Sequence, residues 1–197
     1  MRRGPGSATI GAMRAKRLDE LPEPELQAML LDGELWRPGG EGMPGWLSVA
    51  VPDGPPARAA ALAAWCCLGD LVIGEAAMWL RLGGPPPPII ELAVGPGRAR
   101  SDRSQEGVRR VERVYAPEDS EPLGRIRVLG PVRLVLDALL DPAGGAELAR
   151  ERLERLGCAP EAVAARAALL PRRPGSALAR HRLAELGWRA SGSVSRS

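Results

Sequence analysis

Phenylalanine is absent from this sequence, and tyrosine (Tyr115), histidine (His181) and lysine (Lys16) occur once each. Aromatic residues make up only 3% of the chain, so a core must be built from Leu, Val, Ala and five tryptophans. Alanine-rich helices pack closely but bury little area each, which predicts modest stability. A Ser-His-Asp or Cys-His triad would have to use His181, which stands between Arg180 and Arg182 on a polar helical face and reads as a solvated residue. One histidine also removes multi-histidine metal sites. A restriction-type nuclease needs two acids and a lysine around a metal on adjoining strands, but Lys16 falls in a basic N-terminal stretch. The same scarcity excludes a P-loop, because no lysine follows a suitable glycine loop.

Cysteine is sparse as well. Cys66 and Cys67 are adjacent and Cys158 is remote, a spacing that suggests neither a disulfide framework nor a zinc site and fits a reducing cytosol. The basic N-terminus lacks the apolar segment of a signal peptide, and no run approaches the roughly 20 apolar residues of a membrane span. The expectation is a cytoplasmic protein with no cofactor, no metal and no membrane partner.

What is abundant is arginine: 26 of the 27 basic residues. Coding bias explains that number most simply, and selection for phosphate-binding guanidinium groups is the sharper reading. The net charge of +3 is unevenly spread, with +5 over residues 1–18, −8 over 19–91 and +6 over 92–197. Such asymmetry can mark an anionic partner on the positive side and argues against nucleic acid on the acidic portion.

The chain is organised around residues 71–94, which read as a short apolar strand, a compact helix, a stiff polyproline spacer (Pro85 to Pro88) and a second strand. That is a core unit of an α/β (α+β) domain, with a small mixed sheet and helices followed by a C-terminal helical segment. Upstream, a short helix over 23–31 and strands at 34–37 and 46–51 suggest a helix and hairpin. Residues 52–56 read as a turn or linker, and 58–68 as an alanine-rich helix. Downstream, strands are expected over 108–115, with Arg109, Arg110 and Arg113 mostly outward, and over 124–129, with an acidic turn at 116–122 between them. Helices follow over 131–140, 146–156, from Pro160 onward, and after Ser176 as N-cap. The implied division is a disordered basic tail (1–18), a helix and hairpin resembling a truncated winged helix (19–56), an α/β domain (57–189) and a disordered tail (190–197).

Few constellations carry chemistry. Gly40-Glu41-Gly42-Met43-Pro44-Gly45 matches G-x-G-x-x-G, but strand-like flanks, Pro44 and Glu41 favour a hairpin tip over a dinucleotide fingerprint. Asp137, four residues after Arg133, reads as a helix-surface ion pair. Trp36, Trp46, Trp65 and Trp79 read as core fillers in place of phenylalanine. The remaining candidate is the arginine run Arg98, Arg100, Arg103, Arg109, Arg110 and Arg113, which could hold phosphates of DNA or RNA, although Asp102, Glu106 and Glu112 are interleaved.

In order and wording these segments resemble the AbiEi family of type IV toxin–antitoxin antitoxins, in its actinobacterial style. The residues that carry the resemblance are Asp19-Glu20-Leu21-Pro22, Glu25-Leu26 and Leu31-Asp32-Gly33-Glu34-Leu35, then residues 58–64. They continue with Gly74-Glu75-Ala76-Ala77-Met78-Trp79-Leu80 and Leu129-Gly130-Pro131-Val132-Arg133-Leu134-Val135-Leu136-Asp137. The resemblance implies a non-catalytic cytoplasmic antitoxin of an abortive-infection (phage-defence) system. Such a protein counters a nucleotidyltransferase-like toxin without a stable complex, and its N-terminal winged helix represses transcription of its own operon. Here only one helix and the hairpin stand where a full winged helix needs about three helices. A DNA-binding autorepressor and an inactive nuclease-like remnant are the alternatives.

Overall fold

The computed structural model describes residues 18, 21–40, 42–97, 106–170 and 175–190. The fold is mixed α/β. Helix α1 (Glu23–Leu31) follows Pro22, whose fixed φ suits a helix entrance, and two acids in its first turn favour the positive end. Strands β1 (Leu35–Trp36) and β2 (Leu47–Ser48) pair antiparallel as the expected hairpin, though each is only two residues long. Leu18, Leu26, Leu35 and Trp46 form a small apolar cluster of their own, and the Arg37 guanidinium stacks 3.6 Å from the Trp46 ring centroid.

The next helix, α2 (Pro55–Leu62), starts earlier than the sequence suggests: Pro55 and Pro56 lie within its first turn instead of in a linker. A short 3₁₀ turn (Ala63–Trp65) extends it. The central unit forms as expected, with β3 (Leu71–Val72), α3 (Gly74–Leu82) and β4 (Ile90–Val94). Gly83 ends α3 with φ of 78°, and Pro85 to Pro88 lie in neither helix nor strand.

Three further strands complete a five-stranded sheet: β5 (Val108–Glu112), β6 (Ser120–Leu123) and β7 (Ile126–Leu129). Its order is β5-β4-β3-β7-β6, with β3–β7 and β4–β5 parallel and the other two pairings antiparallel. Strand β6 replaces the last three residues of the expected acidic turn, whose middle is a 3₁₀ turn (Pro117–Asp119). Its glutamate and proline hide it from any apolar pattern, and Pro122 is tolerated because β6 is an edge strand. Helices α4 (Pro131–Leu140), α5 (Ala146–Leu156), α6 (Pro160–Ala168) and α7 (Ser176–Glu185) close the described chain. The residue preceding α7 is Gly175, with φ of 88°, so Ser176 is the first helical residue and not the cap.

Apolar burial falls into two larger clusters. One joins the sheet to α2 and α3 through Leu62, Val72, Trp79, Leu92 and Val128; the other lies among α4–α7 around Leu136, Leu139, Ala149, Val163 and Leu183. No helix among the described residues is long and apolar enough to cross a membrane.

Candidate functional site

A cleft of about 1280 Å³ lies where the sheet and the loop after β5 meet the C-terminal helices. Its sheet side carries Glu91, Arg109, Arg113 and Tyr115; its helical side carries Arg133 and Asp137 of α4, Arg152 of α5 and Arg166 of α6. In parallel register Glu91 of β4 stands beside Arg109 of β5, and Arg109 Nε and Nη2 both donate to Glu91 Oε1 at 3.0 and 2.6 Å. Gly74, at φ of 58°, makes room for that carboxylate, since a Cβ there would lie 2.8 Å from Glu91 Oε2.

The back of the cleft is a continuous polar chain. The Tyr115 hydroxyl donates to Asp137 Oδ2 at 2.8 Å, and Arg133 Nε donates to Asp137 Oδ1 at 2.7 Å. Arg133 also lies over the Tyr115 ring, 4.7 Å from its centroid, and its Nη1 reaches Asp119 Oδ2 at 3.2 Å. Arg166 grips Asp119 with two hydrogen bonds, Nε to Oδ1 at 2.6 Å and Nη2 to Oδ2 at 2.8 Å. Burial alone would raise the Asp119 pKa. The Arg166 hydrogen bonds, the charges of Arg133 and Arg166 and the Ala116 N–H outweigh it, holding the carboxyl below its usual range. Burial and then the Asp137 charge push the Tyr115 phenol well above its usual range. Arg113 is held more firmly protonated by a hydrogen bond to Tyr115, with Asp137 and Glu91 also near.

Of the six arginines singled out from the sequence, Arg98, Arg100 and Arg103 lie outside the described residues. Arg109 and Arg113 line the cleft and are exposed. The strand arginines lie mostly outward as expected, and Arg110 is the exception. The pleat sends it to the opposite face of β5 from Arg109. There its side chain is only 8% exposed, with Nη2 donating to the Trp65 carbonyl at 2.9 Å and Nε 3.7 Å from buried Asp70. The surface pair expected of Asp137 and Arg133 exists, but it is half-buried and belongs to the larger chain of contacts.

The G-x-G-x-x-G loop is indeed the hairpin connection, and Glu41 alone of its residues lies outside the described set. It is packed inward: Met43 is buried in the main core, and a Cβ on Gly45 would sit 2.2 Å from the Ala61 Cα of α2. Its third glycine therefore serves close backbone approach. His181 is exposed, with Nε2 3.2 Å from Glu185. Trp46 and Trp79 are buried as expected, whereas Trp36 and Trp65 are half-buried.

Asp119, Tyr115, Arg152 and Arg166 did not stand out in the sequence as site residues. Three of them are ordinary members of charged helices or turns. For Tyr115 alone a signal existed, since it is the one phenol in the chain.

This arrangement is suited to recognition through hydrogen bonds and charge. Asp119 accepts four hydrogen bonds, and each oxygen of Asp137 accepts one. Among the described residues no group of three or more His, Cys, Asp or Glu is placed to hold a metal ion. The Cys66 thiol is pushed up to about 12, first by burial and then by the Asp70 charge, and is a poor nucleophile. Fold and cleft together define a mixed α/β protein with a polar cleft. Compared with known proteins, the chain matches no family model, no curated protein and no solved structure.

Proposed function

We propose that the chain is a non-catalytic, antitoxin-like regulator of the type IV class, opposing a nucleotidyltransferase-like toxin without a stable complex between the two. The observation that carries this reading is the order of parts. Among the described residues a short helix and a two-stranded hairpin with their own apolar cluster precede a small mixed sheet backed by helices, and a four-helix segment follows. The resemblance to the AbiEi family implies an N-terminal winged helix followed by a C-terminal antitoxin domain, and this order of parts is compatible with it. The cleft adds support, because its acids and arginines are tied to one another in a way that favours binding over proton transfer.

The shortness of the hairpin weighs against the DNA-binding alternative: β1 and β2 have two residues each, and in their connection Met43 and Trp46 are buried while Gly40 and Gly42 are exposed. The experiment is co-expression with a nucleotidyltransferase-like toxin encoded beside it. Restored growth, with undiminished toxin and no co-purification, is the expected result. Continued arrest in cells that accumulate the folded chain overturns the reading.

A further inference from the structure

The cleft has more to offer than ion pairs, and its donors and acceptors are unequally used. Asp119 takes bonds from Arg166, Arg133 and the Ala116 N–H, while Asp137 takes bonds from Arg133 and Tyr115. Asp119 thus accepts four hydrogen bonds and Asp137 one on each oxygen. A guanidinium, by contrast, carries five N–H groups, so Arg133 and Arg166 keep donors in reserve. Arg113 sits at the mouth of the same region, exposed and beside the Tyr115 hydroxyl, with no carboxylate within 4 Å among the described residues.

The other acids that line the cleft each have a partner of their own. Glu91 holds Arg109, Glu75 holds Arg152, Glu112 accepts the Gly97 N–H and Asp141 accepts the Ala143 N–H. Arg113 is the cleft arginine without an ion-pair partner among the described residues, and an acceptor-only group is its chemical complement. Leu140, Leu148 and Leu170, all half-buried, supply an apolar flank to the same cleft.

We propose that this cleft binds a small ligand with an oxyanion head, a phosphate or a carboxylate, held by Arg113 at the Tyr115 edge, with its apolar or ring-shaped body against the leucines. A volume of about 1280 Å³ accommodates a molecule of nucleotide size. The site stands apart from the antitoxin reading, and either can fail without the other. Over the whole cleft six carboxylates face five guanidinium groups, so no net positive field draws in polyanions. Binding should depend on local geometry and respond weakly to salt.

The test is calorimetric titration of the full chain with ATP, inorganic phosphate, octanoate and a twelve-residue oligothymidylate. Saturable 1:1 binding of at least one of the three small anions is expected. It should weaken at least tenfold in Arg113→Gln and stay unchanged in Arg125→Gln, whose arginine is exposed outside the cleft. Preference for ATP or phosphate over octanoate would assign the head as phosphate, and the reverse as carboxylate. Thermal melting confirms that Arg113→Gln is folded, as expected for an exposed residue. No saturable binding of the three small anions, or equal affinity in Arg113→Gln, overturns the proposal. So does binding of the oligonucleotide alone with a steep salt dependence, which is non-specific backbone attraction.

Discussion

Arg166 of α6 and Asp119, forty-seven residues apart in sequence, are joined by two hydrogen bonds of 2.6 and 2.8 Å, with the carboxylate only 2% exposed. This pair ties the C-terminal helices to the loop that enters β6. Removing one partner strands the other in a poorly hydrated place, which costs about 3–5 kcal/mol in comparable buried pairs. Arg166→Ala and Asp119→Asn should each lower the urea midpoint by a large fraction of total stability. The pH dependence follows from the sign of the shift. The folded Asp119 pKa is depressed, so its contribution is present above the unfolded value of about 4 and lost as pH falls through the folded one. Acid unfolding of the wild type should therefore be steeper below about pH 4 than that of Asp119→Asn.

Gly45 and Gly42 make a controlled comparison within one loop. A Cβ at Gly45 would meet the Ala61 backbone at 2.2 Å, and backbone cannot yield as a flexible side chain can. A Cβ at Gly42 meets nothing within 4 Å, and its φ is not positive. Gly45→Ala should destabilise by about 1–3 kcal/mol, as overpacking does, while Gly42→Ala should stay within about 0.5 kcal/mol of the wild type. Chemical denaturation of both variants decides the matter; equal effects would mean that the loop is not seated on α2.

Helices were the legible part of this fold. Prolines at the starts of α4 and α6 and glycines just past the ends of α3 and α5 mark those boundaries in the sequence, and the structure keeps them to within a residue. Strands were harder, because β1, β2 and β3 have two residues each and β6 reads Ser-Glu-Pro-Leu, with no alternation to detect. The site was the least legible. Whether an arginine is surface or structure depends on what the fold sets opposite it. Arg58 reaches the carbonyls of Trp79 and Leu80, Arg152 that of Leu134, and Arg182 those of Leu139 and Asp141. In a chain without phenylalanine, these long side chains pack apolar stems and donate to main-chain carbonyls together, and no local pattern announces which of the 26 do so.

Arg109 and Arg110 are adjacent, yet they should respond oppositely to truncation. Arg109 is 59% exposed and its partner Glu91 is 28% exposed, so the pair is screened by water. Arg109→Ala should cost at most about 1 kcal/mol. Arg110 supplies the donor to the Trp65 carbonyl and the positive charge beside Asp70, whose side chain is 1% exposed and also accepts the Cys67 N–H. Arg110→Ala should cost about 3 kcal/mol or more, because a buried acid loses its cation. Thermal melts of the two variants give the comparison. It also separates lost binding from lost folding, since a nucleic-acid defect in Arg110→Ala would be a folding defect.

Tyr115 provides a spectroscopic reporter of the cleft because no other phenol is present. Burial first, and the neighbouring Asp137 charge second, raise its folded pKa above the ordinary value of about 10. A phenol raised in the folded state contributes stability that is complete below the unfolded pKa and is lost as pH rises toward the folded one. Alkaline titration followed by phenolate absorbance near 295 nm should therefore show no ionisation at about pH 10 while the fold persists, then a step coincident with loss of tertiary circular dichroism. In about 6 M guanidinium chloride, enough to unfold even hyperstable domains, the same group should titrate near 10. Tyr115→Phe removes the step, takes one acceptor bond from Asp137 and should cost about 1 kcal/mol, the net worth of a typical hydrogen bond. Ionisation of the folded protein near pH 10 would instead mean that water reaches the hydroxyl and that the polar chain from Tyr115 to Arg166 is open in solution.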